Sequence, residues 1–403
     1  MLGVVHAGGR GSRMDVLTRE RAKPALPFAG TYRLVDFALS SFLHSGITDV
    51  WVDVQYQAGT LDQHLAGGRP WDLDRTRGGY RRVVPDEGDG PDSEAGFASG
   101  NADSLLRLLD EVEAFALDVL VVTSADHVHA CDLRRVVQAH LDTGAECTVV
   151  TSEVSRTEAR HHATVQSGGD GRVTAFEDKP ARPGTGTVAT EIFVHDPRVL
   201  FELLTQLRAE LSADPDHDTG VGDFGDHLVP RLVDRGATFA YPMAGYWMDV
   251  GRPESYLSAH RDLLAGRVDV FDVAHRPVLS RPPELLPARV RRGAVVEDSM
   301  LSPGCDVRGE VVRSVLGPGV RVARGARVED CVIGSGVVVE GGARVSTSIV
   351  DDAVVVGQRA TVGRLSSRRR TPDAEITIVG RDSRIGRRCE LGAGARLEPG
   401  TTA

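Results

Sequence analysis

Between residues 1 and about 265, short apolar runs alternate with amphipathic segments. Val4-Val5 leads into a glycine-rich stretch, and residues 36–39 open a helical pattern. Strands are predicted at 50–54, 119–122 and 147–150, and helices at 104–115 and 133–141, from the switch between apolar runs and 3.6-residue spacing. That βαβα order predicts an α/β fold with a doubly wound, mostly parallel sheet covered by helices. Ligands of such a sheet sit beyond the carboxyl ends of the strands, where the loops at 7–18 and 123–129 fall. Residues 67–99, rich in Gly, Asp, Arg and Pro, read as one long loop.

The stretch 266–288 carries Arg281-Pro282-Pro283 and reads as a linker, and beyond it the pattern changes. Segments beginning at Ser299, Ser314, Cys331 and Ser348 repeat at offsets of 15, 17 and 17. Within a coil the aliphatics step by six: Leu316, Val322 and Val328, then Ile333, Val339 and Val345. One apolar position in six, with glycine and small residues between, is the signature of a parallel β-helix of hexapeptide repeats over 289–403. Segment 364–376 reads as a loop that interrupts it before Ile378, Ile385 and Leu391 resume the pattern.

Composition sharpens this picture in three ways. The 45 glycines among 403 residues exceed a background near 7% and suit tightly turned coils. A net charge of -10 argues against nucleic acid or an anionic membrane as partner, so an anionic ligand needs a local site. Five widely spaced cysteines without a CxxC pair suggest reduced thiols. With no basic leader and no run approaching 18 apolar residues, the expectation is a cytoplasmic protein. Of the 47 Lys and Arg residues only Lys23 and Lys179 are lysine. Where arginine serves as the general cation, these two positions call for a compact ammonium on a flexible stem.

The candidate chemistry gathers at these positions. Gly8-Gly9-Arg10-Gly11-Ser12-Arg13 follows the first strand, so its backbone N–H groups can wrap an anion while Arg13 reaches across it. Neither the P-loop nor the dinucleotide-fold spacing is present. Lys23 lies in Arg21-Ala22-Lys23-Pro24, a short loop further on, and with Arg13 it can neutralise a triphosphate and a departing pyrophosphate. Asp126 follows the strand at 119–122, and Asp249 lies in Gly245-Tyr246-Trp247-Met248-Asp249-Val250-Gly251. Two such carboxylates converging on phosphates would hold Mg²⁺. His127 and His129 lack a nearby third ligand for a transition metal.

These motifs resemble the glucose-1-phosphate adenylyltransferase family. The resemblance rests on Gly8 to Arg13, Arg21 to Phe28, Tyr32 to Ser40, Gln55-Tyr56, Gly100 to Asp103, Asp126-His127, Glu177 to Pro180, Asp223-Phe224-Gly225 and Tyr246 to Gly251, and covers nearly the whole chain. It implies a left-handed β-helix behind a Rossmann-like catalytic domain, and attack of a sugar-1-phosphate oxygen on the α-phosphorus of an NTP. By position, Arg13, Lys23 and Asp126 would be catalytic and Asp126 and Asp249 would bind Mg²⁺. Gly8, Gly9, Gly11, Ser12, Gln55 and Gly100 would meet the nucleotide, and Asp178, Lys179, Glu191 and Tyr246 the sugar phosphate. A homo-oligomer, a tetramer in the family, is implied as well.

The sequence departs from the family pattern at several positions. Phe97-Ala98-Ser99-Gly100 stands where the family has Trp-Tyr-x-Gly, and His6 where it has Leu. Glu191 replaces a glycine beside the hexose, and Met248 an arginine. Both ATP with glucose 1-phosphate and a GTP- or ATP-dependent reaction on a cyclitol 1-phosphate therefore stand open, the latter by similarity to valienol-1-phosphate guanylyltransferase. A non-catalytic regulatory subunit is a third reading, although every charged site residue is present. An acyltransferase role for the β-helix lacks a histidine base, since the last histidine is His275. Thr31 stands where many members carry an activator-binding lysine, and Arg368-Arg369-Arg370 is a candidate anion site.

Overall fold

The computed structural model describes residues 1–9, 11–84, 98–211, 219–271, 273–368 and 370–403. Contacts group the chain into two compact units, one of Met1–Gly9, Phe37–Ala125 and His129–Trp247, the other of Arg10–Asp36, Asp126–Val128 and Met248–Ala403. This grouping cuts across the chain-order division into 1–265, 266–288 and 289–403, because the Lys23 segment and residues 248–265 associate with the β-helix coils.

The first unit is built on a nine-stranded sheet: β1 Leu2–His6, β2 Asp49–Asp53, β3 Gly79–Val83, β4 Leu120–Ser124, β5 Cys147–Glu153, β6 Thr164–Ser167, β7 Val173–Glu177, β8 Thr187–His195 and β9 Thr238–Pro242. Strands β3, β2, β1 and β4 run parallel in that order, as the βαβα pattern predicts. Beyond β4 the sheet becomes mixed: β8 is antiparallel to both β4 and β5, and β6 and β7 form a hairpin. For the β6–β7 hairpin the reason is connection length, since the Gly168–Gly171 turn can only reverse the chain, whereas a parallel crossover needs a dozen residues or more.

Helices α1 Val35–His44, α2 Asn101–Arg107, α3 Leu133–Thr143 and α4 Pro197–Leu211 follow the 3.6-residue pattern. In α4, Leu200, Leu203, Leu204 and Leu207 form one buried stripe packed in the core with Leu2, Val4, Val122 and Phe193. The helix read over 104–115 is in fact two, because Leu108 leaves helical geometry between α2 and Leu109–Ala114. The loop read over 67–99 is partly structured: Ala66–Trp71 forms a helical turn and β3 is an edge strand, while residues 85–97 lie outside the described residues.

The second unit contains a left-handed β-helix of three six-stranded parallel sheets. Its ladders reproduce the offsets in the sequence: Leu301 pairs with Leu316, Leu316 with Ile333, and Ile333 with Val350. Leu316, Val322, Val328, Ile333, Val339 and Val345 all point into one apolar column. Gly334 is required by stacking, because a Cβ there would lie 2.7 Å from the Asp351 carbonyl carbon of the next coil. The interruption at 364–376 is present between Thr361–Val362 and Thr377–Val379, with a short helical turn at Asp373–Glu375. Within it, Arg368 pairs with Glu375 and Arg369 lies outside the described residues. Helix α5 Pro253–Leu264 also belongs to this unit. All five cysteines are free thiols. Among the described residues no helix is long and apolar enough to cross a membrane.

Candidate active site

In the second unit the phosphate-loop candidates lead directly to Lys23. Gly11 sits in the left-handed region at φ 64°, and its carbonyl accepts from Met14 N and Thr18 Oγ1, both at 2.8 Å. A Cβ at Gly11 would come 3.1 Å from Lys23 Cβ, so the glycine lets the two segments touch. Ser12 and Arg13 follow on the exposed side of this turn. Arg10 lies outside the described residues.

Lys23 is only 7% exposed. Its Nζ donates to Asp126 Oδ2 and lies 3.7 Å from Asp249 Oδ1. His127 Nε2 is 3.3 Å from Asp126 Oδ1 and 3.8 Å from Asp249 Oδ1. Burial works against the charged ammonium, but Asp126 and then Asp249 outweigh it and hold the Lys23 pKa above its ordinary value, with Arg13 opposing. The structure thus brings together Lys23, Asp126 and Asp249, residues separated by more than 220 positions in sequence, with Arg13 within electrostatic reach.

The remaining candidates lie in the first unit and form two groups. Gly8 is pressed against Gln55, whose side chain a Cβ would approach to 2.9 Å, while Gly9 has open space beside it. Gln55 Oε1 accepts from Ala98 N at 3.1 Å. Gly100 stands where a Cβ would meet Gly222 backbone at 2.3 Å, and the Ala102 and Asp103 amides bond to Gly222 O. Close backbone packing is therefore a sufficient reason for this glycine. His6 turns its Nδ1 toward Asp53 Oδ2 at 3.3 Å, and Asp53 also accepts from Ser104 Oγ.

The second group surrounds the other lysine. Lys179 Nζ is 3.0 Å from Asp178 Oδ2, and its side chain is about half exposed. Burial opposes the ammonium, yet Asp178, Asp223 and Glu191 together hold its pKa up. Lys179 at φ 42° and Glu191 at φ 56° both occupy left-handed backbone. Glu191 sits at the register break in β8 between Ala189 and Phe193, a bulge that aims its exposed side chain off the sheet. Tyr246 is partly buried just before the strand Trp247–Asp249. Two further buried carboxylates, Asp53 and Asp103, have no charge or spacing motif of their own in the sequence. Asp103 is buried and binds Ser99 N, Thr219 Oγ1 and Arg107, and its only signal was its place in Gly100 to Asp103.

A family model described as nucleotidyl transferase matches residues 2–266, and one described as GlmU-like, C-terminal hexapeptide matches residues 282–379. The chain is 37% identical over 346 residues to a glucose-1-phosphate adenylyltransferase of Streptomyces coelicolor, covering 82% of this chain and 85% of the relative. It belongs to the glucose-1-phosphate adenylyltransferase family of nucleotidyl transferases. Two other members are similarly related. The Fervidobacterium nodosum protein of that name is 31% identical over 400 residues, covering 97% of this chain and 94% of its own. The Thermotoga maritima protein is 35% identical over 330 residues, covering 81% and 75%. Within this adenylyltransferase family, the buried lysine between two carboxylates is the feature with the clearest chemical meaning. The donor set around it is all oxygen apart from His127, which suits a hard divalent cation such as Mg²⁺.

Proposed function

We propose that this chain transfers the nucleotidyl group of an NTP, ATP first among candidates, to a sugar 1-phosphate, glucose 1-phosphate first among candidates, releasing pyrophosphate. The observation that carries the reading is the buried Lys23 ammonium set between Asp126 and Asp249 on a nucleotidyl transferase fold. The names of the relatives support the substrate pair. An acceptor phosphate oxygen attacks the α-phosphorus, a new P–O bond forms, and the bond to the β-phosphate oxygen breaks. Such a displacement needs positioning and charge neutralisation and no covalent protein intermediate.

Each charged residue then has a task. Arg13 and Lys23 bind triphosphate oxygens and offset the charge that builds on the departing pyrophosphate. Asp126 and Asp249 would hold Mg²⁺, which supplies further neutralisation of phosphate oxygens. Lys179 binds the acceptor phosphate, with Asp178, Glu191 and Tyr246 around the acceptor ring. Gly8, Gly9, Gly11, Ser12, Gln55 and Gly100 line the nucleotide.

A second reading takes a cyclitol 1-phosphate as acceptor, with GTP or ATP. It is favoured by Glu191, which brings a carboxylate to a left-handed bulge position next to Lys179. The test is pyrophosphate release with Mg²⁺, crossing ATP, GTP, UTP and dTTP with glucose 1-phosphate and a valienol-type cyclitol 1-phosphate. Release with ATP and glucose 1-phosphate supports the first reading, and release only with the cyclitol supports the second. Silence in every combination overturns both and leaves a regulatory subunit.

A further inference from the structure

The segment that carries Lys23 is fastened to the β-helix. Two residues before Lys23, Arg21 is 6% exposed and divides its guanidinium between consecutive carboxylates. Nη1 lies 2.8 Å from Asp351 Oδ1 and Nη2 2.5 Å from Asp352 Oδ2. Both aspartates stand in the turn between strands Ser348–Val350 and Val355–Val356. That turn is itself braced: Asp351 Oδ1 accepts from Asp352 N at 2.7 Å, and Asp352 Oδ1 accepts from Ser335 N of the preceding coil at 2.6 Å. Further along, the buried Tyr256 hydroxyl of α5 donates to Pro27 O.

Ala22 between them is extended, at φ -60° and ψ 138°, and the side chains of Arg21 and Lys23 run to separate pairs of carboxylates. One side chain grips the β-helix turn, and the other reaches Asp126 and Asp249. Anchoring alone does not call for this arrangement, because burying the charges of Arg21 and Asp351 costs desolvation that an apolar contact would avoid. A guanidinium shared between two fixed carboxylates adds direction, holding the chain in one register.

We propose that Arg21 is a positioning residue for Lys23, with Asp351 and Asp352 of the β-helix setting where the Lys23 ammonium lies. The β-helix is then part of the reaction machinery as well as a scaffold. Only the kinetic consequence rests on the nucleotidyl-transfer reading.

The chain's two lysines make the test direct. Amine acetylation followed by mass spectrometry compares the labelling rate of Lys23 with that of half-exposed Lys179 as internal reference. Wild type should label Lys23 the more slowly. In Arg21→Met and in Asp352→Asn the Lys23-to-Lys179 ratio should rise severalfold, and Arg21→Lys should restore part of the protection. Under the proposed reaction, kcat should fall by about 10²-fold, the scale of an ångström-level misplacement, with KM for the acceptor unchanged. In a Lys23→Ala background, Arg21→Met should lower kcat no further. An unchanged labelling ratio in folded Asp352→Asn, or an equal kcat loss in both backgrounds, overturns the proposal. Asp352→Asn carries the test if Arg21→Met does not fold. A wild type that releases no pyrophosphate overturns the functional reading while the labelling ratio still decides the role of Arg21.

Discussion

Lys23 offers a sharp electrostatic test. Its burial favours the neutral amine, and Asp126 and then Asp249 keep its pKa above 10.5 in the folded protein. Neutralising both, in Asp126→Asn/Asp249→Asn, leaves burial dominant and drops the folded pKa below that of the unfolded chain. A unit-charge pair at the 3.7 Å separating Lys23 from Asp249 attracts by about 4.5 kcal/mol at an effective dielectric near 20. Stranding a buried ammonium typically costs about 3–5 kcal/mol net. The pH dependence follows with opposite signs in the two proteins. In wild type the raised pKa means the stabilisation is fully present below pH 10.5 and is lost as pH climbs through the folded value. In the double variant the lowered pKa means a penalty fully present below that value, relaxing as pH rises toward 10.5. Urea unfolding with EDTA, from about pH 7 to 10, should show a gap of about 3–5 kcal/mol that narrows with pH. A gap below about 1 kcal/mol, or one that does not narrow, would refute the view that these carboxylates hold a buried charge.

Three further substitutions have defined outcomes. Lys179→Ala removes a charged donor worth about 1.5–3 kcal/mol, so the apparent KM for the acceptor should rise about 10- to 100-fold in steady-state pyrophosphate release; an unchanged KM would remove Lys179 from the acceptor site. Glu191→Gly relieves left-handed strain of about 1–2 kcal/mol but gains about 0.5–1 kcal/mol of chain entropy cost. Its urea midpoint should therefore stay level or rise slightly, and a loss above about 1 kcal/mol would contradict the strain argument. Gly100→Ala puts a Cβ 2.3 Å from Gly222 backbone and should cost about 1–3 kcal/mol in the same assay; a neutral result would mean that the α2 terminus yields easily.

What could be read from sequence depended on range. The β-helix was legible because its coils repeat: Leu316, Ile333 and Val350 recur at a fixed offset and stack on one another. The parallel half of the sheet was legible from apolar runs at β1, β2 and β4. Strand β3 was hidden because Arg81 and Arg82 and the preceding glycines resemble a loop, and its pairing with β2 supplies what propensity does not. The scarcity of lysine pointed to Lys23, but its grip on both carboxylates is a tertiary fact. The role of Arg21 is hidden from sequence for the same reason, since Asp351 lies 330 residues away and no spacing rule spans that distance. At Glu191 the replacement of a glycine was visible, whereas the φ of 56° that explains the glycine needed the fold.

The most direct test of the Lys23, Asp126 and Asp249 site is a side-by-side measurement of pyrophosphate release by wild type and Asp126→Ala, with Mg²⁺, ATP and glucose 1-phosphate. The site predicts turnover by wild type and a fall of about 10³-fold or more in the variant, as expected when a residue that holds transition-state charge in place is lost. Ordinary turnover by Asp126→Ala would contradict it.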